Sequence, residues 1–495
     1  MKTFIIVFAI IVLTLTLRSP SYSTIVVDRD EGEYLCVADS ILHGGVPYRE
    51  VWDNKGALLY FIYAFIIKLT NRSLVGFRIF TAIWVACTVI LIFFFGKKLH
   101  NRTCGVMAAL FFIAITSHPS YIVGGLAAHP EIFFILPVLG GAYIVLFSQW
   151  AGMNIFLSGV LFGLAFNIKT ISVFDFAAFL LIIVLMQKED GKTFSEMPKA
   201  LFAFSGGFII PMLAVAGYFQ YKGCLGDLFS AYFTSGLQYV FRAPGWHAFI
   251  YKILRFTKFI SFEFWSMLIF AFTALISYAL GFYGKNEKIK YLLIWAVFVF
   301  FGITIHRGFW PHTFIQALPA VSLLGAFCVS TMFSLRPDRK IHLFLCLYLA
   351  ISLTIFSNPR SVLRWALTDR KAECKETCYK VAGYLKKDLS PEDYIFVCND
   401  MTIVYFLTEA KIPTRYPYTD LMINGAIYGY KWIKTVDEVK KALDKNPAYI
   451  IFYKNDVIIT KYADVYLQDY LKQHYVFAAV IDGCYIYTYK GRHKH

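Results

Sequence analysis

The 495-residue chain is 58% hydrophobic and only 16% charged, with a mean hydropathy of +0.57. Soluble domains carry about a quarter charged residues, so this composition excludes a water-soluble enzyme and requires a polytopic helical membrane protein. The net charge of +16 does not indicate nucleic-acid binding, because much of it lies in short loops between apolar runs; a share remains for anionic lipid or a phosphate-bearing substrate.

Apolar runs predict about eleven spanning helices, at roughly 4–17, 75–95, 104–118, 131–147, 153–167, 171–186, 200–219, 260–282, 291–305, 313–333 and 341–357. The first run, behind Lys2, has the makings of a signal peptide but equally of a spanning helix, and it is read as the latter. Residues 18–74 form a first outer loop. It opens on the charged stretch DRDEGEYLCVADSILHGGVPYREVWDNK (28–55) and continues into the short apolar run 57–70, read as an interfacial helix.

Charge fixes this reading. With the N-terminus inside, the cytoplasmic loops are 96–102, 187–199, 283–290 and 334–340, each with at least three Lys or Arg. The outer loops at 118–130, 168–172 and HRGFWPH hold only Lys169 and Arg307. Letting 57–70 span would invert every later loop against the positive-inside rule.

Residues 1–357 are therefore a transmembrane domain, and 358–495, richer in polar residues, a soluble extracytoplasmic α/β domain. Thr435-Val436-Asp437-Glu438 is a capping box before an amphipathic helix. Strands are expected at 394–398, 448–453, 475–481 and 485–489. A disulfide among Cys374, Cys378, Cys398 and Cys484 is open if this domain meets an oxidising compartment; a zinc site is not indicated.

The outward helix ends carry an unusual polar set: Asp30, Glu31, Arg49, Asp53 and Lys55, then His129 and Glu131, Lys169, and finally His306, Arg307 and His312. Plain readings exist. Glu131 follows Pro130 at a helix start, where an acid complements the dipole, and Lys169 sits where a lysine snorkels. Trp52 and Trp310 read as interface anchors. Gathering on one membrane face favours chemistry over these readings, with a carboxylate as general base and Lys55, Lys169 or Arg307 neutralising a phosphate leaving group. The cytoplasmic loops offer no phosphate cradle, so the donor is expected to be lipid-borne.

The run Asp30-Glu31-Gly32-Glu33-Tyr34, with Gly44-Gly45, Pro47-Tyr48 and Asp53-Asn54-Lys55-Gly56, resembles the first outer loop of GT-C glycosyltransferases. The nearest branch is that of protein O-mannosyltransferases and lipid A aminoarabinose transferases. His129-Pro130-Glu131, Phe166-Asn167-Ile168-Lys169 and Pro311-His312-Thr313-Phe314-Ile315-Gln316-Ala317-Leu318-Pro319 extend the likeness, with Thr313 in place of the usual Tyr. The resemblance implies a GT-C-like bundle that uses a polyprenyl- or dolichyl-phosphate sugar, generally with inversion. It implies Asp30 as base with Glu31 as rival, Glu131 as a second acid, and Lys55 and Lys169 at the donor phosphate, where the charge reading adds Arg307. Tyr34, Tyr48, Asp53, His129, His306 and His312 are expected to line the substrate. No ligand cluster demands a metal, although some members use one. The acceptor is an extracytoplasmic lipid, polysaccharide or protein; a lipid-linked oligosaccharide polymerase or ligase, or a transporter or flippase, are the alternatives. The setting is the plasma or bacterial inner membrane.

Overall fold

The computed structural model describes residues 2–22, 28–117, 124–149, 151–191, 197–237, 250, 254, 287–305, 311–335, 370–390, 392–398, 401–418, 435–453 and 464–492. The first ten helices are α1 (Lys2–Arg18), α2 (Asp30–Leu42), α3 (Ala57–Leu69), α4 (Leu74–Leu99), α5 (Arg102–Thr116), α6 (Pro130–Phe147), α7 (Gly152–Ile168), α8 (Val173–Glu189), α9 (Met197–Tyr221) and α10 (Leu225–Phe229). Later come the helices Glu287–Ile305, Leu318–Leu335 and Arg370–Leu385, then a sheet interleaved with short helices. Among the described residues, seven helices are long and apolar enough to cross a membrane. α3, α5 and α7 are apolar but shorter. The expected spans at 260–282 and 341–357 lie outside the described residues.

The chain divides into two compact units. One comprises Met1–Ser23, Val75–Tyr218 and Ala243–Thr368; the other comprises Thr24–Leu74, Phe219–Arg242 and Asp369–His495.

The first unit is the helical bundle. Its helices start and stop where local chemistry dictates. The Asn101 side chain accepts the Cys104 N–H at 2.9 Å and caps α5. Pro130 opens α6, where its missing N–H costs nothing. Small residues let backbones touch, as membrane bundles require: a Cβ on Gly159 of α7 would lie 2.0 Å from the Phe204 carbonyl of α9.

The second unit joins the first outer loop to the C-terminal region. Four strands, β1 (Ile395–Val397), β2 (Tyr449–Tyr453), β3 (Tyr475–Ile481) and β4 (Cys484–Tyr489), form one sheet in the order β1-β2-β4-β3. β1 and β2 are parallel, while β4 runs antiparallel to both of its neighbours. Asp482 and Gly483, at φ 47° and 81°, make the two-residue turn joining β3 to β4; an Asp-Gly pair with positive φ suits that tight hairpin.

Residues 30–42, expected as charged loop, are helix α2. Its backbone runs so close to the helix Ile403–Thr408 that a Cβ on Gly32 would meet Thr402 Oγ1 at 2.4 Å. Arg72 ties the same two elements, pairing with Asp39, donating to the Phe406 carbonyl at 2.9 Å and lying over the Phe406 ring. Trp52 is not an interface anchor. It is wholly buried, its N–H donates to the Arg415 carbonyl at 2.6 Å, and its ring packs edge-on against Tyr416.

Candidate active site

The start of α2 separates the two rival carboxylates. Asp28 and Glu31 form a reciprocal cap: the Asp28 side chain accepts the Asp30 N–H at 3.1 Å, and Glu31 accepts the Asp28 N–H at 3.4 Å. This is the capping-box logic with Asp in place of Ser or Thr. Glu31 is buried and committed to this cap. The half-buried Asp30 carboxylate takes no part in it. The D-x-x-E spacing that marks the cap is visible in the sequence.

Downstream, Asp53 and Lys55 are held as a pair. Lys55 Nζ lies 3.6 Å from Asp53, donates to Asn54 Oδ1 at 2.6 Å and sits 5.6 Å over the Tyr34 ring. Buried Asp53 accepts the Tyr60 hydroxyl at 2.7 Å and the Asn54 N–H at 2.6 Å. Tyr48 fixes the loop that delivers them. Its hydroxyl donates to the Lys55 carbonyl at 2.6 Å, and its buried ring stacks on Phe219 and meets Tyr60 and Tyr232 edge-on. Its φ of +68° is unfavourable for a bulky L-residue and persists only where surroundings over-determine it. Tyr48 therefore shapes the site through its backbone as much as through its ring.

Glu33, one turn after Asp30 on α2, is buried, and its Oε1 has no hydrogen-bond partner among the described residues. Burial, aided by the nearby Asp53 and Asp30 carboxylates and opposed by Lys55, pushes the Glu33 carboxyl well above the usual carboxylate range. It holds its proton where an ordinary glutamate would not.

The helical bundle has its own polar group. Lys169, at the end of α7, donates to Glu131 at 2.5 Å, with the glutamate wholly buried. His129, just before α6, is buried and stacks on His312 with centroids 4.3 Å apart. Imidazoles are chemically suited to a transition metal, and a ring nitrogen of each histidine lies within 4.8 Å of the other. Arg18, buried at the end of α1, donates to the carbonyls of Thr116, Gly125 and Leu126 at 2.8, 2.9 and 3.1 Å. It thereby pins the turn that leads into His129. Asp175 in α8 accepts Trp295 Nε1 and Gln316 Nε2, each at 2.6 Å.

Of the sequence candidates, the bundle thus brings together Glu131 with Lys169 and His129 with His312. The other unit brings together Tyr34, Tyr48, Asp53 and Lys55 around one loop. His306 and Arg307 lie outside the described residues. Arg18, Glu33 and Asp175 join these groups although the sequence pattern alone does not mark them as site residues. Asp175 is nonetheless a charge inside the apolar run 171–186, which is itself a signal, whereas Arg18 only closes the run 4–17. Glu33 is masked by the acids beside it.

Residues 54–216, less than half of the chain, match the family described as dolichyl-phosphate-mannose-protein mannosyltransferase. No curated protein matches the chain in sequence. Among solved structures, ArnT from Cupriavidus metallidurans in the apo state is similar over 98% of each chain, with a TM-score of 0.59 at 12% identity. The same protein bound to undecaprenyl phosphate gives 0.56 over 97% of each chain at 12% identity. The oligosaccharyltransferase AglB from Archaeoglobus fulgidus, in complex with an inhibitory peptide and a dolichol-phosphate, gives 0.54 at 12% identity, over 98% of this chain and 74% of that one. At these identities the likeness is one of fold, a multi-span helical bundle with a C-terminal region containing sheet.

Proposed function

We propose that this chain, a multi-span glycosyltransferase of the GT-C superfamily, moves a single sugar from a polyprenyl-phosphate carrier to a hydroxyl on an extracytoplasmic lipid, polysaccharide or protein. The observation that carries this reading is the family match. It begins at the residue before Lys55 and takes in the Glu131–Lys169 pair on a bundle of GT-C fold. ArnT and AglB, whose structures hold undecaprenyl phosphate and dolichol-phosphate respectively, support a lipid-borne donor here.

Asp30 is assigned as general base. It accepts the acceptor hydroxyl's proton as that oxygen attacks the anomeric carbon and the phosphate departs with its electron pair, giving inversion. A hydroxyl is too weak an acid to ionise first, so proton transfer and attack are concerted. Glu31 is set aside as base because its carboxylate completes the α2 cap. Lys55 and Lys169 are assigned to the leaving phosphate, with Arg307 as a third cation. Each of the two lysines rests on one carboxylate and keeps further N–H groups to donate. Glu131, Tyr34, Tyr48, Asp53, His129, His306 and His312 are assigned to orienting these groups and the sugar. Residues 358–495 are read as an extracytoplasmic domain, with the N-terminus cytoplasmic and the protein in a bacterial plasma membrane.

The test is to incubate the purified protein in vesicles with polyprenyl-phosphate sugars and follow release of polyprenyl phosphate. Comparison of surface glycans and accumulated lipid-linked sugars with and without the gene identifies the acceptor. Release that follows a lipid monophosphate sugar supports the reading; turnover only with a lipid-linked oligosaccharide would replace it with the polymerase or ligase. Thiol labelling of H43C from outside and K98C from inside checks orientation, and the reverse pattern overturns it.

A further inference from the structure

Asp175 stands in the first turn of α8 and is wholly buried, in a helix that is otherwise apolar until its last turn. A first-turn acid complements the helix dipole, but burial inside a spanning segment is costly and marks such residues as functional. Its two oxygens are separately occupied: Oδ1 by the Trp295 indole and Oδ2 by the Gln316 amide. The same Gln316 nitrogen lies 3.4 Å from the Ile171 carbonyl.

These bonds link two short 3-10 segments that carry the site. Ile171 belongs to Thr170–Ser172, which begins directly after Lys169. Gln316 belongs to Pro311–Ala317, whose second residue is His312. The remaining contacts close a ring. Lys169 pairs with Glu131, His129 lies two residues before Glu131, and His129 stacks on His312. Lys169, Glu131, His129, His312, Gln316 and Asp175 thus form one loop of neighbours within the bundle. A closed loop resists distortion, since no member moves without disturbing contacts on both sides.

We infer that Asp175 is a positioning residue that locks the Lys169 turn to the His312 segment and so holds the Lys169 ammonium in place for the donor phosphate. This rests on Lys169 being a phosphate ligand. Misplacement by about 1 Å in such a site costs on the order of 100-fold.

The experiment uses the full-length protein in vesicles. It measures affinity for unglycosylated polyprenyl phosphate, KM and kcat with the donor, and the thermal unfolding midpoint. D175L and Q316L are each expected to weaken lipid-phosphate binding and raise the donor KM by ~10- to 100-fold. Each single variant also leaves a buried partner unsatisfied and should lower the unfolding midpoint, whereas D175L/Q316L, which removes both polar groups, should melt closer to wild type while lipid-phosphate binding stays weak. The double variant D175N/Q316E exchanges carboxylate and amide and should recover most of the affinity, which a role confined to packing does not predict. Wild-type affinity and KM in both leucine variants overturn the inference. If D175L fails to insert, Q316L and the exchange variant carry the same test. K169A separates the two levels: unchanged binding in K169A removes the phosphate assignment itself. Weakened binding in K169A beside normal D175L and Q316L removes only the positioning role.

Discussion

The two polar groups are built in opposite ways. The α2 group comes from one short stretch, Asp28 to Tyr60, folded back on itself by a helix cap and a strained Tyr48 loop. The bundle group is assembled from helix ends scattered from Arg18 to Gln316. In the first, a hydroxyl and backbone donors hold Asp53 and the Asp28–Glu31 cap, so charge is tuned locally. In the second, each charge meets one to three long-range partners, so geometry depends on the packing of the whole bundle. A site built from one segment tolerates drift elsewhere; a site built from helix ends does not.

The largest expected effect tests the first group. Asp30→Asn should lower turnover by on the order of 10²–10⁴, the usual worth of a general base, with donor binding intact. Glu31→Gln should instead lose about 1 kcal/mol of stability through its cap and most activity should remain. A greater loss of turnover in Glu31→Gln than in Asp30→Asn would exchange their roles.

Next is the bundle's ion pair. Lys169→Ala should cost on the order of 10²–10³ in rate and about 3–5 kcal/mol of stability, because buried Glu131 is left unpaired. Adding Glu131→Gln should restore the melting temperature and not the rate. Recovery of both would make the pair purely structural.

A smaller effect probes the packing beneath the acidic helix. Gly32→Ala drives a methyl into Thr402 Oγ1 and should cost about 1–3 kcal/mol, as overpacking does. Thr402→Ala in the same chain should recover most of it in thermal melts. No loss in the single variant would show that the two helices are not tightly apposed.

The smallest is a pH effect at Glu33. Its folded carboxyl titrates well above the ordinary 4.5, so between those values the folded state binds the extra proton. Stability from this group is therefore greatest below pH 4.5 and falls as pH rises through the folded value. Glu33→Gln should match wild type in acid and become the more stable form as pH rises. Parallel melting curves across pH would dismiss the buried proton.

Much of this was legible in the sequence. Apolar length placed nine of the expected runs on described helices, seven of them long enough to cross a membrane, because lipid leaves few alternatives to a helix. The four strands also stood out, since short runs rich in β-branched and aromatic residues are local signals. Helix α2 did not, because charged residues at a helix start look like loop until the reciprocal Asp28–Glu31 bonds are seen. Asp175 was lost for a different reason. One acid among phenylalanines gains meaning only from Trp295 and Gln316, which lie more than a hundred residues away. Trp52 reads as a membrane anchor by composition, and only the Arg415 carbonyl and Tyr416 ring reveal a core position.

The Trp52–Arg415 bond also bears on how the protein is made. Residues 24–74 belong to the same compact unit as residues 369–495, yet about 300 residues are synthesised between them. At translation rates of about 5–20 residues per second, the first loop waits roughly 15–60 s for its partner. During that interval Trp52 and the α2 face at Gly32 lack the side chains that bury them in the finished unit. A nascent chain thus carries its acidic stretch in an immature state until the last quarter emerges. Chains interrupted before that point display unburied apolar surface, which makes them recognisable to quality-control proteases.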